Sequence, residues 1–301
     1  MIQFVWKGEI LMIFEKAYAK LNLFLDVENK RLDGYHNIVS VMQTVDWCDD
    51  IYIEESVSGE ILLTTDSCEI PTGKDNTAYR AATKYLEAVS EKKGVKIEIC
   101  KRIPMAAGMA GGSADAAAVL RGMNRLFGNR LSEAELLALG KTIGADVPFC
   151  ILGGTKIVRG IGEEISACEQ EFPQCPMVCA KLGKGVSTPD AYRILDEKYD
   201  DFKNRKINEG LLQVILDSMR FRSAEGASRG FFNVFEESIE ALRPSVSQAK
   251  KTLLENGAFS AMMSGSGPSV FGLFRSENEA ECACLALKNM GAEARLCYPV
   301  S

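Results

Sequence analysis

Apolar positions along this chain repeat every second residue in some stretches and every third or fourth in others, and the changes of period mark its elements. From Ile10 the pattern is strand-like, and residues 14–27 mix apolar positions with an internal Lys20 and Asn22. Residues 38–52, interrupted by Asp46, Asp49 and Asp50, predict further strands or one strand with a bend, and residues 61–65 another. Ala78, Ala81, Ala82, Tyr85, Leu86 and Val89 then recur at helical spacing before Lys92, Lys93 and Gly94 close the run. Val95, Ile97 and Ile99 alternate with Lys96 and Glu98, a strand that delivers the chain to Pro104.

At that point the period changes within a glycine-rich loop, Pro104-Met105-Ala106-Ala107-Gly108-Met109-Ala110-Gly111-Gly112-Ser113. An alanine-rich helix follows, with Val119, Leu120, Met123 and Leu126 on its apolar positions and Ser113 placed to cap it. Glycines let a ligand approach the main chain, and backbone N–H groups at a helix start attract phosphate. The same loop also reads as a tight turn into a closely packed helix. It lacks the Gly-Lys-Ser/Thr ending of a P-loop and the dinucleotide-binding pattern, so a phosphate site here is of another design.

Beyond it, Ser132-Glu133-Ala134-Glu135 is a capping box. Asp146, in Gly144-Ala145-Asp146-Val147-Pro148-Phe149, lies between a helix stop and an apolar run, either as a turn former or as a partly desolvated general base. Turns between Gly153 and Gly162 suggest a boundary near residue 160, giving domains 1–160 and 161–301. In the second part, residues 183–192 read as a loop with a capped helix behind it, residues 199–229 predict two surface helices, and Ser264-Gly265-Ser266-Gly267-Pro268-Ser269 is a second glycine-rich turn. Residues 256–274 form a long uncharged run, but four glycines, four serines and a proline make it turns around a buried segment, not a membrane span.

Two placements along the chain bear on chemistry. Lys20 belongs either to an exposed strand face or to a phosphate-binding cleft. His36, after the turn Arg31-Leu32-Asp33-Gly34, is the only histidine, which excludes a histidine-rich metal site. It reads as a hydrogen-bonded residue at a strand edge or, with Tyr35, as a platform for a planar base.

With 301 residues, 47% of them hydrophobic, the chain can bury a core of two domains. A formal charge of -6 argues against a polybasic nucleic-acid binder. Ten cysteines without a Cys-x-x-Cys pair read as free thiols in a reducing, cytoplasmic compartment, and the spacing of Cys168, Cys175 and Cys179 does not suit a structural metal site.

The loop from Pro104 resembles the Pro-x-x-x-Gly-Leu-Gly-Gly-Gly-Ser/Ala-Ser motif of the GHMP small-molecule kinases, which include galactokinase, homoserine kinase and mevalonate kinase; Met109 stands for leucine and Ala110 for glycine. Lys16-Ala17-Tyr18-Ala19-Lys20-Leu21-Asn22-Leu23, Lys30-Arg31-Leu32-Asp33-Gly34-Tyr35-His36, Met42-Gln43-Thr44, the Asp146 segment, Ser187-Thr188 with Tyr192, and residues 264–272 extend the similarity from about Met12 over nearly the whole chain. Asn233-Val234-Phe235-Glu236 departs from the family's Asn-Asp-Leu-Glu-like pattern. The Asp-Gly-Tyr-His element is similar to the branch that phosphorylates the 2-hydroxyl of a diphosphocytidyl sugar alcohol in non-mevalonate isoprenoid synthesis.

This resemblance implies an α+β, two-domain GHMP kinase fold, with a ribosomal-protein-S5-like N-terminal domain and a ferredoxin-like C-terminal domain. It implies that residues 104–113 bind ATP, with Mg²⁺ neutralising part of the phosphate charge and no residue assigned as a direct metal ligand. Asp146 would be the catalytic base and Lys20 the adjacent cation. Asn22 would shape the acceptor site, and Tyr35 and His36 would recognise and stack on cytosine. The alternatives are another small-alcohol kinase of the family or a nonenzymatic nucleotide-binding regulator. No nucleic-acid or membrane partner is expected, monomer and weak homodimer are both left open, and residues 1–11 are expected to be a dispensable extension.

Overall fold

The computed structural model describes residues 4–7, 10–202 and 205–301, with side chains from Met12 onward except that of Asp201. It contains two compact units interleaved along the chain.

The first unit takes the chain up to Ala19, Trp47–Ile103 and Ala110–Leu152. Its elements are β1 (Phe4–Lys7), the early part of β2 (Ile10–Lys30), the late part of β3 (His36–Ser56), β4 (Ile61–Thr65), α1 (Thr77–Ala88), β5 (Gly94–Cys100), α2 (Gly111–Leu126), α3 (Glu133–Lys141) and α4 (Val147–Leu152). Strand β5 pairs antiparallel with β3, from Asp50 opposite Cys100 to Ser56 opposite Gly94, and parallel with β4. Its alternation is realised: Val95, Ile97 and Ile99 are buried while Lys96 and Glu98 face solvent. Alanines make α2 slim enough to lie almost wholly buried, and a Cβ at Gly122 would come within 2.5 Å of Ile53 Cδ1. The predicted capping box is present, with Ser132 Oγ accepting from Glu135 N–H and the Glu135 carboxylate accepting from Ser132 N–H.

Of the amino-terminal segment expected to be dispensable, residues 1–3, 8 and 9 lie outside the described residues. Phe4–Lys7 pairs antiparallel with the start of β2, Phe4 opposite Ile13.

The second unit takes Lys20–Asp46, Pro104–Met109 and Gly153–Ser301. It adds β6 (Thr155–Arg159), β7 (Glu164–Ala167), β8 (Met177–Lys181), α5 (Thr188–Tyr199), a 3-10 turn (Asp200–Phe202), α6 (Glu209–Arg220), α7 (Ala224–Ser228), β9 (Phe232–Asn233), α8 (Glu236–Leu242), α9 (Pro244–Glu255), β10 (Ser260–Met263), β11 (Ser269–Leu273), α10 (Glu277–Asn289) and β12 (Glu293–Cys297). The late part of β2 pairs parallel with β9, and the early part of β3 pairs antiparallel with β6. A separate antiparallel sheet has the order β10-β11-β8-β12. With α9 between β8 and β10 and α10 between β11 and β12, this is the βαββαβ arrangement of a ferredoxin-like domain. Val178 and Ala180 of β8, Val246 and Leu253 of α9, and Ala283 and Leu287 of α10 belong to one core. Val234, the departure from the family pattern, is buried in that core.

The uncharged run 256–274 is the region of β10 and β11, and no helix among the described residues is long and apolar enough to cross a membrane. Residues 20–46 and 104–109 belong to the second unit. Strands β2 and β3 have 21 residues each, and at about 3.3 Å per residue each extends about 70 Å, so both contribute to each unit.

Candidate active site

Within the second unit, the start of the glycine-rich loop is held by β2 and by the turn at residues 264–269. Lys20 N–H donates to Met109 O at 3.2 Å and Ser269 N–H to Ala107 O at 3.2 Å. The Lys20 side chain, only 4% exposed, donates from Nζ to Gly108 O at 2.9 Å and to Asn22 Oδ1 at 2.6 Å. An exposed strand face for Lys20 is thereby excluded. Asn22 Nδ2 donates to Ser40 Oγ at 2.8 Å, so both ends of this amide serve to orient the lysine. Asn233 Nδ2 donates to Met263 O and Gly265 O, at 2.8 and 2.9 Å, bracing the 264–269 turn.

Gly108 has φ +74°, and a Cβ there would stand 2.5 Å from Ser264 O. Gly108→Ala is therefore expected to lower the unfolding free energy by about 2 kcal/mol or more, combining left-handed strain with a backbone clash. Gly73→Ala, where nothing lies within 4 Å, should stay within about 0.5 kcal/mol in the same urea titration. Equal effects at the two sites would refute the close approach.

In the first unit, α2 begins at Gly111 with Ala110 as its N-cap, left-handed at φ 57° and making no side-chain capping bond. Ser113 is the third helical residue, not the predicted cap. The left-handed turn at Ala110 redirects the chain early, and Ala110 O accepts from Ala114 N–H at 2.8 Å. With no side-chain cap, the amides of Gly111, Gly112 and Ser113 lack intrahelical acceptors, and their donors coincide with the positive end of a 16-residue helix. A Cβ on Gly111 would meet Ile103 Cγ2 at 3.3 Å, and one on Gly112 would meet Thr77 Oγ1 at 3.2 Å. At both positions the missing side chain makes room for the protein's own neighbours.

Beneath this turn is a buried cluster that sequence reasoning missed. Lys101 Nζ donates to Asp115 Oδ2 at 2.8 Å and to Asp49 Oδ2, while Asp49 Oδ1 accepts from the backbone of Ile103 at 2.8 Å. Burial pushes the Asp115 carboxyl up from its ordinary 3.8 to about 7, against the attraction of Lys101 and with the repulsion of Asp49 adding to it. Burial also works against the charge on Lys101, but Asp115 and Asp49 outweigh it and hold its pKa above the usual range. A raised carboxyl pKa favours folding below pH 3.8, and that contribution is lost as pH rises through about 7. Asp115→Asn mimics the protonated acid, so it is expected to raise Tm by several degrees at pH 8 and by little at pH 5. Thermal melts showing a lower Tm than wild type at pH 8 would count against this.

Asp146 is half-buried at the entrance to α4, in the same unit. Its backbone carbonyl accepts from Cys150 N–H at 3.0 Å, whereas its carboxylate has no hydrogen-bond or ion-pair partner among the described residues. The turn holding it passes the first turn of α2, since a Cβ at Gly144 would lie 3.8 Å from Ser113 Oγ. The backbone thus does the turn-forming work, and the carboxylate remains available to take a proton.

In the second unit, Tyr35 and His36 leave the β2–β3 turn in different environments. Gly34, at φ +85°, closes the turn by donating to Arg31 O at 3.1 Å, and Asp33 Oδ1 accepts from Tyr35 N–H at 3.1 Å. Tyr35 is 62% exposed and offers an aromatic surface. His36 is 7% exposed; it stacks on Tyr192 with centroids 4.5 Å apart, meets the edge of Phe202, and places Nε2 2.6 Å from Asp196 Oδ1. One imidazole face of His36 is thus already occupied, whereas the Tyr35 ring is open to solvent. Asp196 is 160 residues away in sequence and gave no local signal.

Among the described residues, no three His, Cys, Asp or Glu side chains are grouped to hold a metal. Burial pushes the Cys168 thiol to about 11 and the Cys175 thiol to about 12, as suits inert free thiols.

A helix start with unpaired amides, a lysine tied to the loop before it and an available carboxylate are parts that phosphoryl transfer requires. The model of the GHMP kinases N terminal domain matches residues 76–154, and that of the GHMP kinases C terminal domain matches residues 215–293. The chain belongs to the GHMP kinases. It is 43% identical over 273 residues to the 4-diphosphocytidyl-2-C-methyl-D-erythritol kinase of Caldicellulosiruptor saccharolyticus, covering 91% of this chain and 92% of that one. It is 41% identical to the kinase of the same name from Alkaliphilus oremlandii, covering 90% and 91%. A crystal structure of 4-(cytidine 5'-diphospho)-2C-methyl-D-erythritol kinase aligns with a TM-score of 0.80 and 31% identity, covering 96% of this chain and all of that one. Within the family, the chain falls in the 4-diphosphocytidyl-2-C-methyl-D-erythritol kinase branch.

Proposed function

We propose that this chain transfers the γ-phosphoryl group of ATP to the 2-hydroxyl of 4-diphosphocytidyl-2-C-methyl-D-erythritol, a step in non-mevalonate isoprenoid synthesis. GHMP kinases use ATP as phosphate donor. The observation that carries the reading is the buried Lys20 ammonium, bonded to the glycine-rich loop at Gly108 O. A cation built into the loop is suited to stabilise charge on a transferring phosphoryl group.

In this reading, the amides at the start of α2 and residues 104–113 receive the ATP phosphates. Asp146 orients the acceptor hydroxyl and takes its proton, Lys20 stabilises the equatorial oxygens, and Asn22 holds Lys20 in place. The acceptor's cytosine is stacked by Tyr35 and read in its plane by His36, whose face is covered. Mg²⁺ suits a site with few carboxylates, since it is bound largely through nucleotide phosphates, whose charge it would offset. No protein ligand is assigned to it. We place the protein in the cytoplasm, where ATP is available and thiols stay reduced. We likewise propose a domain boundary near residue 160.

The test is an assay with purified protein, ATP, Mg²⁺ and the diphosphocytidyl acceptor, with ³¹P NMR of the product. Phosphorylation at the 2-hydroxyl supports the reading. ATP hydrolysis without acceptor phosphorylation, or equal use of alcohols lacking cytidine, would refute it.

A further inference from the structure

We propose that Asp196 is a positioning residue that sets the tautomer of His36 and thereby the preference for cytosine over uracil in the acceptor. The inference rests on the cytidyl reading of the substrate given above. His36 Nε2 lies 2.6 Å from Asp196 Oδ1, and a carboxylate only accepts, so Nε2 carries the proton. In the neutral ring this leaves Nδ1 as a lone pair, the one ring nitrogen available to a ligand. The carboxylate is itself fixed, because Asp196 Oδ2 accepts from Lys30 Nζ at 2.8 Å.

The ring is also fixed. Tyr192 stacks on it at 4.5 Å with an interplanar angle of 20°, and Phe202 meets it edge-on at 5.6 Å. A ring immobilised in this way, with one face covered, contributes by its in-plane edge. Cytosine carries an amino donor at its 4-position, where uracil carries a carbonyl acceptor. A lone pair at Nδ1 bonds the amino group and opposes the carbonyl. Asp196 thus acts on the base through His36. Without Asp196, either nitrogen of the imidazole can hold the proton, and the distinction between the two bases weakens.

The test uses tag-free full-length protein labelled with ¹⁵N-histidine, in which His36 is the single histidine and gives the only imidazole signals. Wild type is expected to show a protonated Nε2 and an unprotonated Nδ1. Asp196→Ala is expected to show a mixture of tautomers. Its kcat/KM preference for the cytidyl over the uridyl acceptor should fall about 10-fold or more, through KM for the cytidyl acceptor, with kcat and KM for ATP within about twofold. Asp196→Asn keeps an oxygen acceptor and should restore most of that preference. A wild-type ring protonated at Nδ1, or an Asp196→Ala enzyme with undiminished preference, overturns the role of Asp196 alone. Loss in Asp196→Ala that is equal for ATP and acceptor means a structural role and also overturns it. Should Asp196→Ala not fold, the wild-type tautomer and the Asp196→Asn preference decide. A wild-type protein that phosphorylates no cytidyl acceptor removes the functional reading, and the inference with it.

Discussion

Asp146→Asn is expected to fold like the wild type and to transfer the phosphoryl group about 10²–10⁴-fold more slowly, the range typical of a general base. The substitution keeps size and polarity but cannot take the hydroxyl proton. Folding should be spared because the Asp146 carboxylate supports no described hydrogen bond or ion pair, while the turn is closed by the backbone, through Val147 N–H to Gly144 O. The loss corresponds to about 2.7–5.5 kcal/mol of transition-state stabilisation. Rapid-quench single turnover at saturating ATP, Mg²⁺ and acceptor isolates the chemical step, with thermal unfolding as the check on the fold. A folded variant with the wild-type chemical rate would rule out proton acceptance by Asp146.

Lys20→Met is expected to lower the same rate about 10²–10³-fold, as does removal of a preorganised electrostatic group elsewhere. Unlike Asp146, Lys20 also has structural work. Its Nζ donates to Gly108 O and Asn22 Oδ1, and losing it leaves Asn22 Oδ1 unsatisfied and Gly108 O with only the longer bond from Ser264 Oγ, at 3.4 Å. Stability should therefore fall by about 1–3 kcal/mol. Methionine retains much of the apolar stem, so the segment should still pack. The two effects separate by measurement, since urea unfolding reports the lost hydrogen bonds and single turnover the lost charge. An unchanged single-turnover rate in folded Lys20→Met would sink the electrostatic role, whatever happens to stability.

Much of the local structure was legible because hydrophobic period is a local property. The alternation of Val95, Ile97 and Ile99 became β5, the recurrence of Ala78, Ala81, Ala82 and Tyr85 became α1, and the Ser132–Glu135 pair became a capping box. The start of α2 was misplaced by sequence reasoning because Ser113 has the chemistry of a cap, whereas the N-cap position falls on Ala110 in a left-handed conformation, which alanine does not advertise. The family motif marked the loop, Lys20 and Asp146, but not their partners. The Asp49–Lys101–Asp115 cluster went unread because its three residues lie in β3, beside β5 and in α2, each unremarkable in its own segment.

By itself, the sequence determined where strands, helices and turns fall, that the fold mixes helix and sheet, and which motifs resemble GHMP kinases, since periodicity, turn chemistry and motif residues are properties of neighbouring positions. Tertiary structure alone decided that Lys20 is buried against Gly108, 88 residues away, that the face of His36 is covered while its Nε2 is held by Asp196, 160 residues away, and that β2 and β3 each serve two units. The reason is physical: a buried polar group must find its hydrogen-bond partner wherever packing brings one, and that choice is made by the folded backbone, not by the residues on either side.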